Sequence, residues 1–225
     1  MQIGSKAAIT LTLVLPVAFF ATTREGEGQQ TSQALTHFSH VATEFNGAPG
    51  RRGLTVTTAM EVNVAMMYAN FAAGHPTDLD AMTTNIRNVL HAVLPQEGAQ
   101  GPGLGFGVKR AAEAVATHIE MAVKGPGASE TMRKFGPNLG MAARAVAARA
   151  QAIADLGARA LAAQTAIEAA PLVEQLRTMA LELDTGKDVN GSGRIDLDTV
   201  EPGMNQLEAQ AYSIFEGEKL PRILK

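Results

Sequence analysis

Residues 188–199, DVNGSGRIDLDT, place oxygen-bearing side chains at alternate positions, Asp188, Asn190 and Ser192, followed by Gly193 and then Asp196. This pattern suits a hard divalent cation, which takes about six to eight oxygen ligands from a loop that turns sharply at a glycine. Asp188, Asn190 and Ser192 offer side-chain oxygens, Arg194 its backbone carbonyl, and Asp196 a direct or water-mediated contact. Gly193 permits the turn and Ile195 is free to point back into a core. Charge argues the same way. From Asp184 to Glu201 there are five acids (Asp184, Asp188, Asp196, Asp198 and Glu201) against two bases, Lys187 and Arg194. Carboxylates crowded onto one turn repel one another unless a cation sits among them.

Counted from Asp188 as position 1, the segment resembles the EF-hand family, whose loop reads D-x-[DN]-x-[DNS]-G-x-I and closes on an acid at position 12. The resemblance runs from Leu172 to Glu216 and implies Ca²⁺ bound between two helices. Position 12 is Thr199, which cannot supply a bidentate carboxylate; Asp198 lies one residue early and Glu201 two residues late. We expect Glu201 to close the site, because an acid just before Pro202 also suits the N-terminus of the exit helix. The expected ligands are therefore Asp188, Asn190, Ser192, Arg194, Asp196 and Glu201. One loop with Ser at position 5 fits a weak structural ion better than a sensor, since sensors pair two such loops.

Histidine and methionine carry the second chemistry. His37, His40 and Glu44 fall at i, i+3 and i+7 and share one helix face, a donor set for zinc or copper. His118 falls at a core-spaced position, and His91 flanks the apolar face of its own helix. Met66, Met67, Met82, Met121 and His118 are expected to gather inside the bundle, where Met and His ligate copper(I) or haem iron. Hairpins joined by Gly/His turns also resemble the small metal-binding helical bundles of the bacterial periplasm. A copper- or haem-binding bundle is thus the alternative to the calcium protein, and a scaffold presenting helical faces to another protein is a third reading.

Enzymatic chemistry finds little footing. The chain has no Cys, which excludes thiolate catalysis, disulfides and Cys-based metal sites. GPGLGFGVKR, residues 101–110, matches neither phosphate-loop pattern, because Phe106 stands where the third glycine is needed and no strand precedes it. That stretch reads as a flexible connection. No Ser/His/Asp set, catalytic carboxylate pair or zinc-protease motif assembles, so no catalysis is expected.

The elements that must hold these groups are helical. Hydrophobic residues make up 46% of the 225 residues and aromatics 4%, with no Trp, so the core is built of Ala, Val, Leu, Ile and Met in closely packed helices. Thr31 or Ser32 caps a first helix bearing Leu35, Phe38, Val41, Ala42 and Phe45. Met60, Val64, Met67 and Phe71 mark the buried face of a helix over 54–73. After Gly74-His75-Pro76, Thr77 or Asp78 opens a helix with Leu79, Met82, Ile86, Val89 and Val93, closed by Pro95. Val108, Ala111, Val115, His118 and Ala122 mark another. Ser129 caps a long helix to about Ala169, with Gly136-Pro137 kinking or splitting it and Leu139, Ala142, Val146, Ile153, Leu156, Ala160, Ala163 and Ile167 inward. A further helix begins at Pro171 in a first-turn position, burying Leu172, Leu176, Met179 and Leu183. Met204, Leu207, Ala211 and Ile214 mark the last. NIRNVLHAV (85–93) and NLGMAARAV (138–146) hint at a repeated hairpin, and two hairpins side by side make a four-helix bundle.

The expected fold is all-α: a four-helix-bundle-like pair of hairpins over 31–170, an EF-hand-like helix-loop-helix over 171–216 and a tail over 217–225. Before it, residues 1–21 carry Lys6 and then an apolar run of about 15 residues, which reads as a secretory signal, too short to span a bilayer at roughly 20 residues. Residues 22–30 read as a polar linker. Without residues 1–21 the chain holds 18 bases and 22 acids. Clustered positive charge for nucleic acid is lacking, and no membrane contact is expected after signal removal. A bacterial periplasmic or secreted protein fits.

Overall fold

The structure, a computed structural model, describes residues 32–198 and 200–220. The expected signal segment 1–21, the expected linker 22–30, Thr31, Thr199 and the last part of the expected tail, 221–225, lie outside the described residues. Among the described residues the fold is all-α, with seven α-helices and no strand. They belong to one compact unit. The helices are α1 (Gln33–Ala42), α2 (Leu54–Ala73), α3 (Leu79–Val93), α4 (Val108–Lys124), α5 (Glu130–Leu161), α6 (Ala166–Thr185) and α7 (Met204–Gly217), with a 3-10 turn over Pro49–Arg51. No described helix is long and apolar enough to cross a membrane.

Side-chain caps start four of the helices: Ser32 bonds the Leu35 N–H, Asp78 the Ala81 N–H, Ser129 the Met132 N–H and Thr165 the Glu168 N–H. α2 packs on α3 and α4 on α5, giving the two hairpins; α2 also meets α4, and α3 meets α5. α1 lies against α4, and α6 packs on both α2 and α5.

α5 organises the C-terminal half. Ser129 at its start hydrogen-bonds Glu218 beyond the end of α7. At its middle, the Arg149 guanidinium donates to the carbonyls of Glu182 (3.0 Å), Val200 (2.7 Å) and Pro202 (2.8 Å). Gly157, further along, sits where an added Cβ would stand 3.5 Å from Leu176 of α6. α6 therefore runs antiparallel along the second half of α5 and α7 along the first. The acidic loop interrupts them at Arg149, and each helix meets α5 more than it meets the other.

Four expectations are corrected. Met60, Met67 and Phe71 of α2 are exposed; the buried side carries Leu54, Thr57, Thr58, Glu61, Val62, Ala65, Ala69 and Ala72. α2 is surrounded by α3, α4 and α6, and small side chains allow that close approach. The long helix runs through Pro137 and ends at Leu161, not near Ala169. α6 starts at Ala166 on a capping box, Thr165 with Glu168, so Pro171 lies inside it and Ile167 is 87% exposed. α7 begins at Met204, with Gln206 accepting from the Gly203 N–H, two residues beyond the expected Pro202.

Candidate metal centres

The acidic loop leaves α6 at Gly186, whose φ of +82° and contact with Glu201 leave no room for a side chain. The Lys187 N–H bonds the Glu201 carbonyl at 2.8 Å, closing the loop at its neck. Asp188 accepts from the N–H groups of Ser192 (3.0 Å) and Gly193 (2.8 Å), and Asn190 Oδ1 accepts from the same Ser192 N–H at 2.8 Å. Gly193 takes φ +81°, the left-handed turn expected of it. These bonds fold the first half of the loop so that Asp188, Asn190 and Ser192 lie around one turn. Asp196 accepts from Asn190 Nδ2 (3.0 Å) and Arg194 Nε (2.8 Å), and these two bonds hold its carboxyl below the ordinary aspartate range. The Ser192 hydroxyl donates to the Arg194 carbonyl at 3.2 Å.

Asp198 and Glu201 take different roles. Asp198 Oδ1 accepts from the N–H groups of Val200 (2.9 Å) and Glu201 (2.8 Å), a local turn. Glu201 is fully buried and reaches across the loop: Oε1 accepts from Val189 and Asn190, both at 3.0 Å, and Oε2 from Asp196 at 2.8 Å. Its carboxylate joins the two halves of the loop through backbone amides. Arg149 holds the carbonyls on either side of it, and burial lowers the Arg149 pKa while the Glu182 charge opposes that shift. Asp188, Asn190, Ser192, the Arg194 carbonyl and Asp196 offer hard oxygen donors, the type that suits Ca²⁺, whereas both oxygens of Glu201, expected as the closing ligand, are engaged by backbone amides.

The histidines assemble differently from the expected groupings. Packing of α1 on α4 brings His37 and His40 to His118, with His118 Nδ1 at 3.2 Å from His37 Nδ1 and 3.3 Å from His40 Nδ1. All three donor atoms lie within 4.8 Å of one another, and all three side chains are half-buried. Phe45 sets its ring edge-on to His40 and His118, at centroid distances of 5.4 and 5.2 Å. Glu44 turns to an ion pair with Arg51. The expected interior gathering does not form: Met67 and Met121 are exposed, Met82 is buried in α3, and His91 is buried where the Gly101 backbone closes on its ring. Sequence periodicity placed His118 on a core face; it lies instead at that face's edge, flanked by buried Val115 and Ile119.

Burial, then neighbouring imidazoles, push His40 and His118 below the ordinary value of 6.5; the Glu44 charge partly offsets this for His40. A depressed histidine pKa means the unfolded chain binds the proton first, so stability present above the unfolded value is lost as pH falls through the folded one. In metal-free protein, the melting temperature is expected to drop more steeply from about pH 7.5 to about pH 5 in wild type than in His40→Gln/His118→Gln. Parallel curves for the two proteins contradict this.

A second buried glutamate organises the glycine-rich segment. Glu61 of α2 is fully buried; Oε1 accepts from Phe106 (2.8 Å) and Gly107 (3.0 Å) and Oε2 from Leu104 (3.2 Å). The stretch expected as a flexible connection is thus pinned to α2. In comparisons with known proteins, no family model, curated protein or solved structure matches this chain.

Proposed function

We propose that the chain is an exported calcium-binding helical protein, without catalysis, whose single EF-hand-like loop holds one structural Ca²⁺. The observation that carries the reading is the pre-formed turn at Asp188. The Ser192 and Gly193 amides orient its carboxylate, and Asn190 Oδ1 lies over the same amide. Oxygen donors at positions 1, 3, 5, 7 and 9 follow on that one loop, and an ion there takes Asp196 over from Arg194 Nε and Asn190 Nδ2. The ligands are Asp188, Asn190, Ser192, the Arg194 carbonyl and Asp196, with Glu201 closing the loop from the far side.

The role follows from where the loop sits. α6 and α7 both lie along α5, and the loop between them carries a surplus of carboxylates and has its two ends held by Arg149 through backbone carbonyls. An ion neutralises that surplus and fixes the two helices in register on α5. Extracellular calcium modules bind at about 10⁻⁴–10⁻³ M, the range that suits a single exported loop. At roughly 100-fold excess over Kd, linkage stabilises the folded state by ~2.7 kcal/mol, or about 5–10 °C in melting temperature. Thermal unfolding with and without Ca²⁺ is expected to show that rise in wild type and none in Asp188→Ala. A wild type that melts at the same temperature with and without the ion sinks the proposal.

A further inference from the structure

We propose that His37, His40 and His118 form a second metal site, specific for a divalent transition-metal ion such as Zn²⁺ and independent of the calcium loop. The geometry carries it. Nitrogens bound at about 2.0–2.1 Å to tetrahedral zinc stand about 3.3–3.4 Å apart; His118 Nδ1 is 3.2 and 3.3 Å from its two neighbours. Two of the three edges of a three-imidazole zinc site therefore already stand at its spacing, and one ring nitrogen of each histidine lies within 4.8 Å of the others.

Hydrogen bonding within the cluster does not satisfy it. Each Nδ1 offers one in-plane position, which holds either a proton or a lone pair. His118 Nδ1 faces two nitrogens with that single position, so among neutral rings at most one of the two contacts is a well-aligned hydrogen bond. A cation at the point where the rings converge satisfies all three lone pairs at once. Imidazole is a ligand of Zn²⁺ and Cu²⁺ and not of Ca²⁺, so the two centres select different ions.

The surroundings suit an ion that enters and leaves by one side. Phe45 covers His40 and His118. Beside His37 an open cleft of about 700 Å³ is lined by Gln33, Thr117, Glu120, Met121 and Lys124. Three protein ligands leave the fourth position of a tetrahedral ion for solvent, as in zinc sites that keep an open position.

The test is a calorimetric titration of the purified full chain with Zn²⁺, in excess Ca²⁺, together with the visible spectrum of the Co²⁺-loaded protein. One equivalent of Zn²⁺ is expected, with the d–d bands of tetrahedral Co²⁺. His118→Gln and His40→Gln are expected to weaken Zn²⁺ at least about 100-fold, beyond the cost of losing an outer hydrogen-bond partner. His75→Gln, on an exposed turn, is expected to leave binding unchanged. Circular dichroism of the metal-free variants separates lost ligation from lost folding, and His37→Gln, at the cleft side, serves if either fails to fold. Binding that survives His118→Gln and His37→Gln, octahedral Co²⁺ bands, or no Zn²⁺ heat from the folded wild type overturns the proposal. Asp188→Ala is expected to retain the zinc isotherm, so this site and the calcium loop fail or stand separately.

Discussion

Glu201→Gln is expected to lower the melting temperature by about 5–15 °C and to release the acidic loop. The substitution keeps the side chain's shape but removes its charge and one of its two acceptor oxygens. Glu201 is fully buried and receives three backbone N–H groups, two on Oε1 and one on Oε2. In either orientation of a glutamine amide, at least one of those donors faces an NH₂ group. Hydrogen bonds to charged groups contribute about 1.5–3 kcal/mol each, and a buried donor left unpaired costs a similar amount, so a loss of about 2–4 kcal/mol follows. For a chain of this size that is about 2–4 °C per kcal/mol. Amide exchange gives the local readout: the Val189, Asn190 and Asp196 N–H groups lose protection first. Asp198→Asn is expected to do much less, because Asp198 accepts from the Val200 and Glu201 amides beside it rather than across the loop. Equal effects for the two substitutions contradict the assignment of Glu201 as the residue that joins the loop.

Glu61→Gln is expected to have a comparable effect on stability. The Leu104, Phe106 and Gly107 amides converge on its two oxygens, inside the α2 face that packs against its neighbours. Gly103 and Gly107 hold φ of +90° and +84°, conformations that let the backbone close on the carboxylate. An amide cannot accept from both sides, so one buried N–H is left without its partner at a cost of about 2–4 kcal/mol. Unlike the Glu201 change, this one is expected to leave calcium affinity intact, since the amides it deprives of an acceptor, those of Leu104, Phe106 and Gly107, lie outside the acidic loop. A melting temperature within about 1 °C of wild type contradicts the role given to Glu61.

The helices were legible where large apolar residues mark the core. Met82, Ile86, Val89 and Val93 of α3, and Met204, Leu207, Ala211 and Ile214 of α7, are all buried at the expected period. α2 reads differently because its buried side is made largely of Ala and Thr around Glu61, and Met60, Met67 and Phe71 are left for solvent. In an alanine-rich chain the small-residue period, not the large one, marks the face where several helices meet. The break before α6 was written in the sequence as Thr165-x-x-Glu168, a capping box, but Pro171 drew the boundary five residues late.

The candidate centres divide in the same way. The loop's donors are adjacent in sequence, so their spacing could be read directly. The histidine cluster depends on α1 packing against α4, a long-range contact with no local signature; His118 is 81 residues from His37. Buried Glu61 and Glu201 were hidden for a related reason. A carboxylate satisfied by backbone amides leaves no motif, because the amides belong to residues of any type.

The most direct measurement is a calorimetric titration of Ca²⁺ into the wild-type chain and into Asp188→Ala, at neutral pH with transition metals chelated. The expected result is one ion per chain in wild type, no measurable binding in Asp188→Ala, and an unchanged isotherm in His118→Gln. A folded wild type that takes up no calcium, or an Asp188→Ala variant that binds it as wild type does, contradicts the calcium loop.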